Sequence, residues 1–321
     1  LFLMENRGEK LSVQEEYVGM SHPLKDSKQK SVILFDLHED LLYPLIFKRE
    51  EINKDDIFKF NVVSLFTLTP WKDEYIETSD VTKVLRGIET YREFAEENNF
   101  IIIENKKDLK KVLNSNKKGL ILEIEGCASI KDKYILKSFI NLGVRVFTLT
   151  WNNSNQIASS CKDKNDYGLT QFGKEIVLKM VEENCIIDLA HAGRKTFYDV
   201  YNLKIPFIVS HTGILKKPKD KRNISYKEME KIIERGGIAG IGLGNLFFEK
   251  EVKKEEVVKK IYKLIKEFPE NICLGSDLFG LSEKNIINGL YSFKEIRENF
   301  KNFPENFLFL NAFKFFEKNL P

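Results

Sequence analysis

The sequence predicts an α/β fold, a (β/α)8 TIM barrel, with an open doubly wound sheet as the alternative. Short apolar runs rich in β-branched residues alternate with longer amphipathic stretches, a pattern typical of βα units and a parallel sheet. Eight of these runs have the length of strands, the number that closes a barrel. The chain length of 321 residues is one that such barrels routinely reach as a single domain.

The predicted barrel strands are Val32–Leu37, Asn61–Thr67, Gly119–Ile124, Val144–Thr150, Cys185–Ala190, Pro206–Ser210, Gly237–Leu243 and Ile272–Ser276. The predicted helices are 81–98, 131–141, 171–184, 194–202, 225–235, 253–267 and 285–299. Ser225 and Glu228 have the spacing of a helix capping box, and Gly236 follows the end of that helix. We interpret Phe100–Ile103 as an accessory strand ahead of the third barrel strand.

The domain organisation follows from the composition of the two ends of the sequence. Residues 1–30 are polar and predict an N-terminal arm, whereas residues 31–321 predict one barrel domain. The Phe-rich stretch 292–316 has apolar residues at helical spacing, which favours a closing helix packed on the barrel over a membrane-binding segment.

Composition excludes several classes of function. The 51 basic and 48 acidic residues give a net charge of +3, which does not support nucleic-acid binding. No apolar stretch approaches the length of a membrane span, and the first residues lack the features of a secretion signal. The four cysteines are scattered without a CxxC pair, which favours reduced thiols. We therefore expect a cytoplasmic protein without a membrane or nucleic-acid partner.

Metal-ligating side chains follow five of the predicted strands, where the carboxyl ends of barrel strands meet at one mouth. The six residues are His38, Asp40, Glu125, His191, His211 and Asp277. Three imidazoles and three carboxylates exceed the needs of one tetrahedral zinc ion, but they suit two metals that share a bridging carboxylate. The fourth histidine, His22, lies in the polar arm and is left out of this site. Strand parity alone does not choose between Glu123 and Glu125 as the bridging acid.

The order of these motifs resembles the membrane (renal-type) dipeptidases, peptidase family M19 of the amidohydrolase superfamily. The resemblance rests on Asp36-Leu-His-Glu-Asp40, Glu125-Gly126, Asp188-Leu-Ala-His191, Ser210-His211 and Gly275-Ser-Asp277. Gly168–Val177, Arg222–Ser225 and Asn306–Glu317 look like further stretches of the same family. The similarity runs in order from about residue 31 to the end of the chain.

The resemblance implies a binuclear zinc site, although another divalent metal would also fit the ligands. His38, Asp40 and Asp277 would hold one ion, and His191 and His211 the other. Glu125 would bridge the two ions, because Gly126 matches the Glu-Gly pair of the family.

A metal-bound hydroxide would then attack the peptide bond of a dipeptide, and Asp277 would transfer the proton to the leaving amine. Arg222 would recognise the free C-terminal carboxylate of the substrate. Glu125 and Asp277 are therefore the predicted catalytic residues, and dipeptides with a D-residue at the C-terminal position are included among the substrates. Family members are often dimers, so a homodimer is also considered.

The sequence departs from the mammalian members of the family after the fourth barrel strand. Those proteins have histidine in a Thr-Leu-Thr-His context, whereas this chain reads Thr148-Leu-Thr-Trp151-Asn152. Trp151 offers one N–H donor and an aromatic wall but no positive charge, and we predict that Trp151 and Asn152 contact the substrate. The departure keeps a second hypothesis open, that the metal site acts on N-acyl amino acids, lactams or phosphoesters. A non-catalytic metal-binding protein is the third hypothesis.

Overall fold

The structure is a computed structural model that describes residues 32–47, 52–65 and 81–321. The predicted arm at 1–30 and the last two residues of the predicted strand Asn61–Thr67 lie outside these ranges. From Ile33 onward the described residues belong to one compact unit.

Eight parallel strands form a closed barrel, as the sequence predicts. The order around the barrel is β1, β2, β4, β5, β6, β7, β10 and β11, and β11 pairs again with β1. The described strands are β1 (Phe35–Glu39), β2 (Phe60–Ser64), β3 (Phe100–Ile102), β4 (Lys118–Glu125), β5 (Val144–Thr148), β6 (Ile186–Asp188), β7 (Ile208–Thr212), β8 (Ile214–Leu215), β9 (Ile224–Ser225), β10 (Ile238–Ile241) and β11 (Ile272–Leu274). The accessory strand β3 pairs with the first residues of β4, before β5 begins to pair with that strand.

Helices follow most of the barrel strands. The described α-helices are α1 (Leu42–Phe47), α2 (Val81–Glu97), α3 (Lys106–Leu113), α4 (Lys133–Asn141), α5 (Gln171–Glu182), α6 (Arg194–Asn202), α7 (Tyr226–Glu234), α8 (Asn245–Phe248), α9 (Lys254–Glu267), α10 (Phe293–Phe300) and α11 (Asn311–Asn319). The capping box expected of Ser225 and Glu228 is present at the start of α7. No helix in the described part of the chain is long and apolar enough to cross a membrane.

The predicted helix 285–299 is wrong in its first half. A short 3-10 turn covers Glu283–Asn285, and the helix begins only at Phe293. The Ser292 side chain accepts a hydrogen bond from the backbone N–H of Glu295, which fixes the start of the helix at that point. The helices α1, α3 and α8 were not predicted, because each is too short to show a clear apolar period.

The Phe-rich C-terminal segment packs across the amino-terminal end of the barrel. It is broken rather than continuous, because α10 ends at Phe300 and a π-helical stretch, Asn306–Leu310, begins only after Pro304. This stretch leads directly into α11. The Phe316 ring lies 5.0 Å from the Phe35 ring at the start of β1. Phe309 stacks on Phe60 at the start of β2, with ring centroids 5.5 Å apart. This aromatic cluster closes the end of the barrel opposite the carboxyl ends of the strands.

Candidate metal centre

The structure brings all six predicted ligands together at the carboxyl-terminal mouth of the barrel. Within the described residues, their ligand atoms form three overlapping sets, each with atoms within 4.8 Å of one another. The sets are His38 with Asp40 and Glu125, Glu125 with His191 and His211, and His38 with His211 and Asp277. The first two sets share Glu125, which is the arrangement expected of a bridging carboxylate between two ions.

Glu125 is the centre of the cluster. Its Oε1 atom lies 3.0 Å from Nε2 of His191, 3.5 Å from Nε2 of His211 and 3.8 Å from Nε2 of His38. The three imidazoles therefore present the same ring nitrogen to one carboxylate oxygen. The rings of His38 and His211 are also stacked, with centroids 3.8 Å apart.

The other ring nitrogen of each histidine faces a hydrogen-bond acceptor. Nδ1 of His38 lies 2.7 Å from Oε2 of Glu123, and Nδ1 of His191 lies 3.2 Å from Oδ1 of Asn152. Nδ1 of His211 lies 2.9 Å from Oγ of Ser210. These contacts favour the tautomer with the proton on Nδ1, which leaves the Nε2 lone pairs free for a cation at the centre.

Two buried polar atoms support the same conclusion. Nε2 of His38 and Oδ1 of Asp40 are inaccessible to water, and neither has a hydrogen-bond partner among the residues that the structure describes. Such atoms are costly to bury unless a ligand satisfies them. Imidazole nitrogens and carboxylate oxygens are ligands that zinc accepts, so the side chains present fit a divalent metal.

The electrostatics of the cluster also favour a cation. Burial raises the pKa of Glu125 well above its ordinary value, and the neighbouring carboxylates of Asp40, Glu123 and Asp277 raise it further against the opposing effect of His38. Burial likewise raises the pKa of Asp277 to about 7. Burial lowers the pKa of His191 and His211 well below the usual histidine range, which favours the neutral imidazole at both predicted ligands. A divalent ion would supply the positive charge that the three carboxylates lack.

Two ligand positions have an unusual backbone conformation. His191 has a φ of 62° and Asp277 a φ of 58°, which places both residues in the left-handed region. Histidine and aspartate are among the non-glycine residues that tolerate this region best. The left-handed turn at the end of each strand aims these two side chains into the barrel mouth.

Gly280 makes room for two of the carboxylates. A Cβ atom at this position would overlap the side-chain oxygens of Asp40 and Asp277. The absence of a side chain at Gly280 therefore allows the loop after β11 to approach both predicted ligands closely.

Glu123, the other candidate for the bridging acid, lies behind the cluster rather than in it. Its Oε2 accepts from His38, and its Oε1 lies 2.6 Å from the hydroxyl of Thr148. Burial raises the pKa of Glu123 to about 7. Glu123 therefore orients His38, a role that the strand parity of the sequence did not distinguish from that of a ligand.

A cavity of about 870 Å³ opens over the cluster among the described residues. Its floor includes Asp40, Glu125, His191 and Asp277. Apolar and aromatic side chains form much of its wall: Tyr43, Trp151, Leu246, Phe279, Leu281, Ile286 and Tyr291. The volume lies within the range of small-molecule sites.

Arg222 is a buried cation in the wall of this cavity. Its side chain is only 4% exposed, and its Nη1 donates to the backbone carbonyl of His211 at 3.0 Å. The guanidinium carbon lies 5.6 Å from the centre of the Phe247 ring. Arg222 lines the cavity, so its charge is within reach of an anionic group bound there.

Trp151 and Asn152, the residues predicted to contact substrate, also line the cavity. The Trp151 ring lies 6.2 Å from that of His191, at a tilt of 40°. Asn152 has a second contact that sequence reasoning missed, because its amide oxygen accepts from His191. Asn152 therefore also orients a predicted ligand.

Comparison with known proteins identifies the family. A model of the membrane dipeptidases, peptidase family M19, matches residues 27–302. The chain belongs to this family. This match confirms the predicted membership of the membrane dipeptidase family. It also confirms the prediction of a hydrolytic enzyme. Membership in a metallopeptidase family also implies metal dependence, in agreement with the donor cluster.

Curated relatives of this M19 chain match about half of it. It is 26% identical over 181 residues to a protein named an uncharacterized dipeptidase from Schizosaccharomyces pombe, which is 53% of this chain and 44% of that protein. It is 25% identical over 182 residues to dipeptidase tcpJ of Claviceps purpurea, which is 54% of this chain and 43% of that protein. The matched stretch thus spans less than half the length of each of these two relatives.

Solved structures share the fold along almost the whole M19 chain. The structure described as dipeptidase AC, a metallopeptidase of family M19, has a TM-score of 0.79 at 17% identity and covers 91% of this chain and 99% of its own. A metallopeptidase from Rhodobacter sphaeroides, solved with a phosphinate mimic of the dipeptide L-Ala-D-Ala, has a TM-score of 0.75 at 17% identity and covers 91% and 100%.

Proposed function

We propose that this M19 protein is a binuclear zinc-dependent dipeptidase that hydrolyses dipeptides with a free C-terminal carboxylate. The observation that carries the proposal is the convergence of three imidazole Nε2 atoms and three carboxylates beneath a cavity that also contains a buried arginine. The ligand cluster supports the metal chemistry, and the arginine supports the choice of substrate.

One zinc ion would be held by His38, Asp40 and Asp277. The other would be held by His191 and His211, and Glu125 would contribute to both sites. Bound metal ions would supply Lewis acidity, which lowers the pKa of water and polarises a carbonyl group. The protein would hold the scissile bond over Glu125 and exclude bulk water with the apolar wall of the cavity.

Asp277 is the proposed proton carrier. It lies on the cavity floor beside the other predicted ligands, where a carboxylate is within reach of both an attacking water and a leaving amine. Asp277 would take the proton from the attacking water and return it to the nitrogen of the leaving amine.

Arg222 would fix the C-terminal end of the substrate. A guanidinium presents donors that match a carboxylate, and the contact is strong where both charges are removed from water. Because Arg222 donates to the carbonyl of the predicted ligand His211, a carboxylate bound to it would lie close to the metal centre. A carboxylate held this close to the metal centre suits a short substrate such as a dipeptide.

L,D dipeptides are included in the proposed substrate class. The neighbour from R. sphaeroides was solved with a mimic of L-Ala-D-Ala, which supports testing a D-residue at the C-terminal position. The stereochemical preference of this chain is therefore part of the proposal to be measured.

The test is turnover of a library of L,L and L,D dipeptides by zinc-loaded protein, with the matching C-terminal amides and N-acyl amino acids. We expect the free-acid dipeptides to be cleaved and the amides to lose about 2–5 kcal/mol of transition-state binding, the cost of leaving a buried charge unpaired. Arg222→Met should abolish the preference for the free acid. Lys221→Met, at an exposed neighbouring position, is the matched control.

Cleavage of the N-acyl amino acids with no turnover of dipeptides would favour the second hypothesis of a related amidohydrolase. Zinc binding without turnover of any compound in the panel would contradict the proposed activity and favour the non-catalytic alternative.

A further inference from the structure

We propose that Thr148 is a positioning residue that joins the histidines of the two predicted metal positions into one hydrogen-bonded unit. The unit, here called the Thr148 chain, runs through His38, Glu123, Thr148, Asp188, Ser210 and His211. The inference rests on the metal site of the proposed function but is independent of the substrate.

The first half of the Thr148 chain connects His38 to Thr148. Nδ1 of His38 lies 2.7 Å from Oε2 of Glu123, and Oε1 of the same carboxylate lies 2.6 Å from the Thr148 hydroxyl. Glu123 thus has one oxygen committed to the imidazole and the other to Thr148.

The second half connects Thr148 to His211. Oγ1 of Thr148 also lies 2.6 Å from Oδ2 of Asp188, and the Ser210 hydroxyl donates to that same oxygen at 2.6 Å. The Thr148 hydroxyl has one proton, so it donates to one of the two carboxylates while it stays in contact with both. Oγ of Ser210 lies 2.9 Å from Nδ1 of His211. The other oxygen of Asp188 accepts from the backbone N–H groups of Ala190 and Ser210, which fixes the carboxylate in place.

The barrel register explains why Thr148 occupies the central position. Thr148 is the Cα partner of Glu125 on one side and of Asp188 on the other. Its hydroxyl therefore enters the barrel between the strand that carries the predicted bridging acid and the strand that leads to His191. Every side chain of the Thr148 chain is at most 1% exposed, so water cannot substitute for a missing contact.

The Thr148 chain has a direct consequence for the predicted metal ligands. Residues that hydrogen-bond to the non-ligating nitrogen of a histidine fix its ring orientation and tautomer. Here the two outer residues, His38 and His211, belong to different metal positions, and their rings are stacked 3.8 Å apart. A break at Thr148 would release the supports of both rings at once, so both ions should bind more weakly.

The test compares Thr148→Val with Thr150→Val. Thr150 is a matched control, because it lies two residues later in the sequence and is fully buried. Its hydroxyl has no hydrogen-bond partner in the described part of the molecule. Thr148→Ser is the rescue variant, since it keeps the hydroxyl. Ser210→Ala removes a second hydroxyl of the Thr148 chain and replaces Thr148→Val in the test if that variant fails to fold.

Zinc affinity and stoichiometry are measured by competition with a coloured chelator, alongside thermal unfolding of the metal-free proteins. We expect Thr148→Val to weaken both zinc equivalents by about 10- to 100-fold, the range found when outer partners of ligands are removed. Thr148→Ser and Thr150→Val should stay within about threefold of the wild type on that same scale. Ser210→Ala should weaken at least the ion held by His211.

The proposal is overturned if Thr148→Val binds two equivalents as tightly as the wild type, if it weakens only one of them, or if Thr150→Val loses as much affinity. A wild-type protein that binds no zinc would contradict the metal centre itself. A wild-type protein that binds zinc but cleaves no dipeptide would contradict only the substrate, and the comparison of variants would still decide the role of Thr148.

Discussion

The Nε2 atoms of His191 and His211 lie 3.2 Å apart, and both face Oε1 of Glu125. Two neutral imidazoles at this distance either share one proton or point two lone pairs at the same space. Because both Nδ1 atoms face acceptors, the second arrangement is favoured. A cation resolves the repulsion, which makes the metal-free centre a source of instability that zinc should remove.

Zinc should therefore stabilise the fold. At a free zinc concentration about 100 times the Kd, each site should add about 2.7 kcal/mol to the free energy of unfolding. The measurement is thermal or urea unfolding with zinc and with a chelator. His191→Asn should lose most of the increment of the site that His191 shares with His211, since asparagine accepts the left-handed backbone but is a poorer zinc ligand. Equal stability of the wild type with and without zinc would contradict this prediction.

The two acids on β4 should respond differently to amide substitution. Glu123→Gln should lower zinc affinity by about 10- to 100-fold, because Glu123 orients a predicted ligand and does not itself reach the metal positions. Glu125→Gln should lose more, because Oε1 of Glu125 approaches all three Nε2 atoms. Zinc titration of both variants measures the order of the effects. The reverse order would assign the bridging role to Glu123.

Asp277→Asn tests the proton carrier. An amide cannot take up the proton, so kcat for dipeptide hydrolysis should fall by about 100- to 10,000-fold. Because Asp277 is also a predicted ligand, zinc content is measured on the same sample and kcat is calculated per loaded site. Unchanged turnover at full zinc occupancy would remove Asp277 from the catalytic residues.

Gly280→Ala should disturb the metal centre without touching a ligand directly. The added Cβ would overlap the carboxylates of Asp40 and Asp277, so zinc affinity and turnover should both fall. Asn288→Ala, an exposed position in the same segment, is the control and should resemble the wild type. Normal zinc binding by Gly280→Ala would mean that the loop after β11 adjusts freely.

The thiols should be unreactive in the folded protein. All four cysteines are free and buried, and burial raises the pKa of Cys185 to about 12 and those of Cys127, Cys161 and Cys273 above their usual value. A raised pKa keeps the thiol protonated at pH 8, and the protonated form is a poor nucleophile. A thiol reagent should report four cysteines in urea and almost none in the native state. Rapid reaction of one thiol per native chain would count against this prediction.

The sequence predicted the parts of the fold and site that depend on position along a strand. His38 and Asp40 share strand parity, and the carboxyl ends of parallel strands meet at one mouth, so their convergence with His191 and His211 followed from the order of elements. The contacts between strands did not follow. Thr148 lies 25 residues from Glu123 and 40 from Asp188, and only the barrel register brings the three together. The cytoplasmic location and the homodimer stay predictions.

The helix predicted at 285–299 was wrong for a related reason. The apolar residues before Phe293 belong partly to the cavity wall, where Ile286 and Tyr291 line the space above the predicted metal centre. Apolar spacing records that side chains are covered, but it does not distinguish a helix face from a loop that lines a cavity.

The left-handed backbone at His191 and Asp277 limits how the metal preference of this barrel could be engineered. At these two positions a replacement ligand must also accept a positive φ, which asparagine and aspartate do more readily than cysteine or glutamate. Forcing an unsuited residue into that conformation costs about 1–3 kcal/mol before any metal is bound. Redesign for a softer or a harder ion should therefore begin at His38 or His211, whose extended strands impose no such restriction.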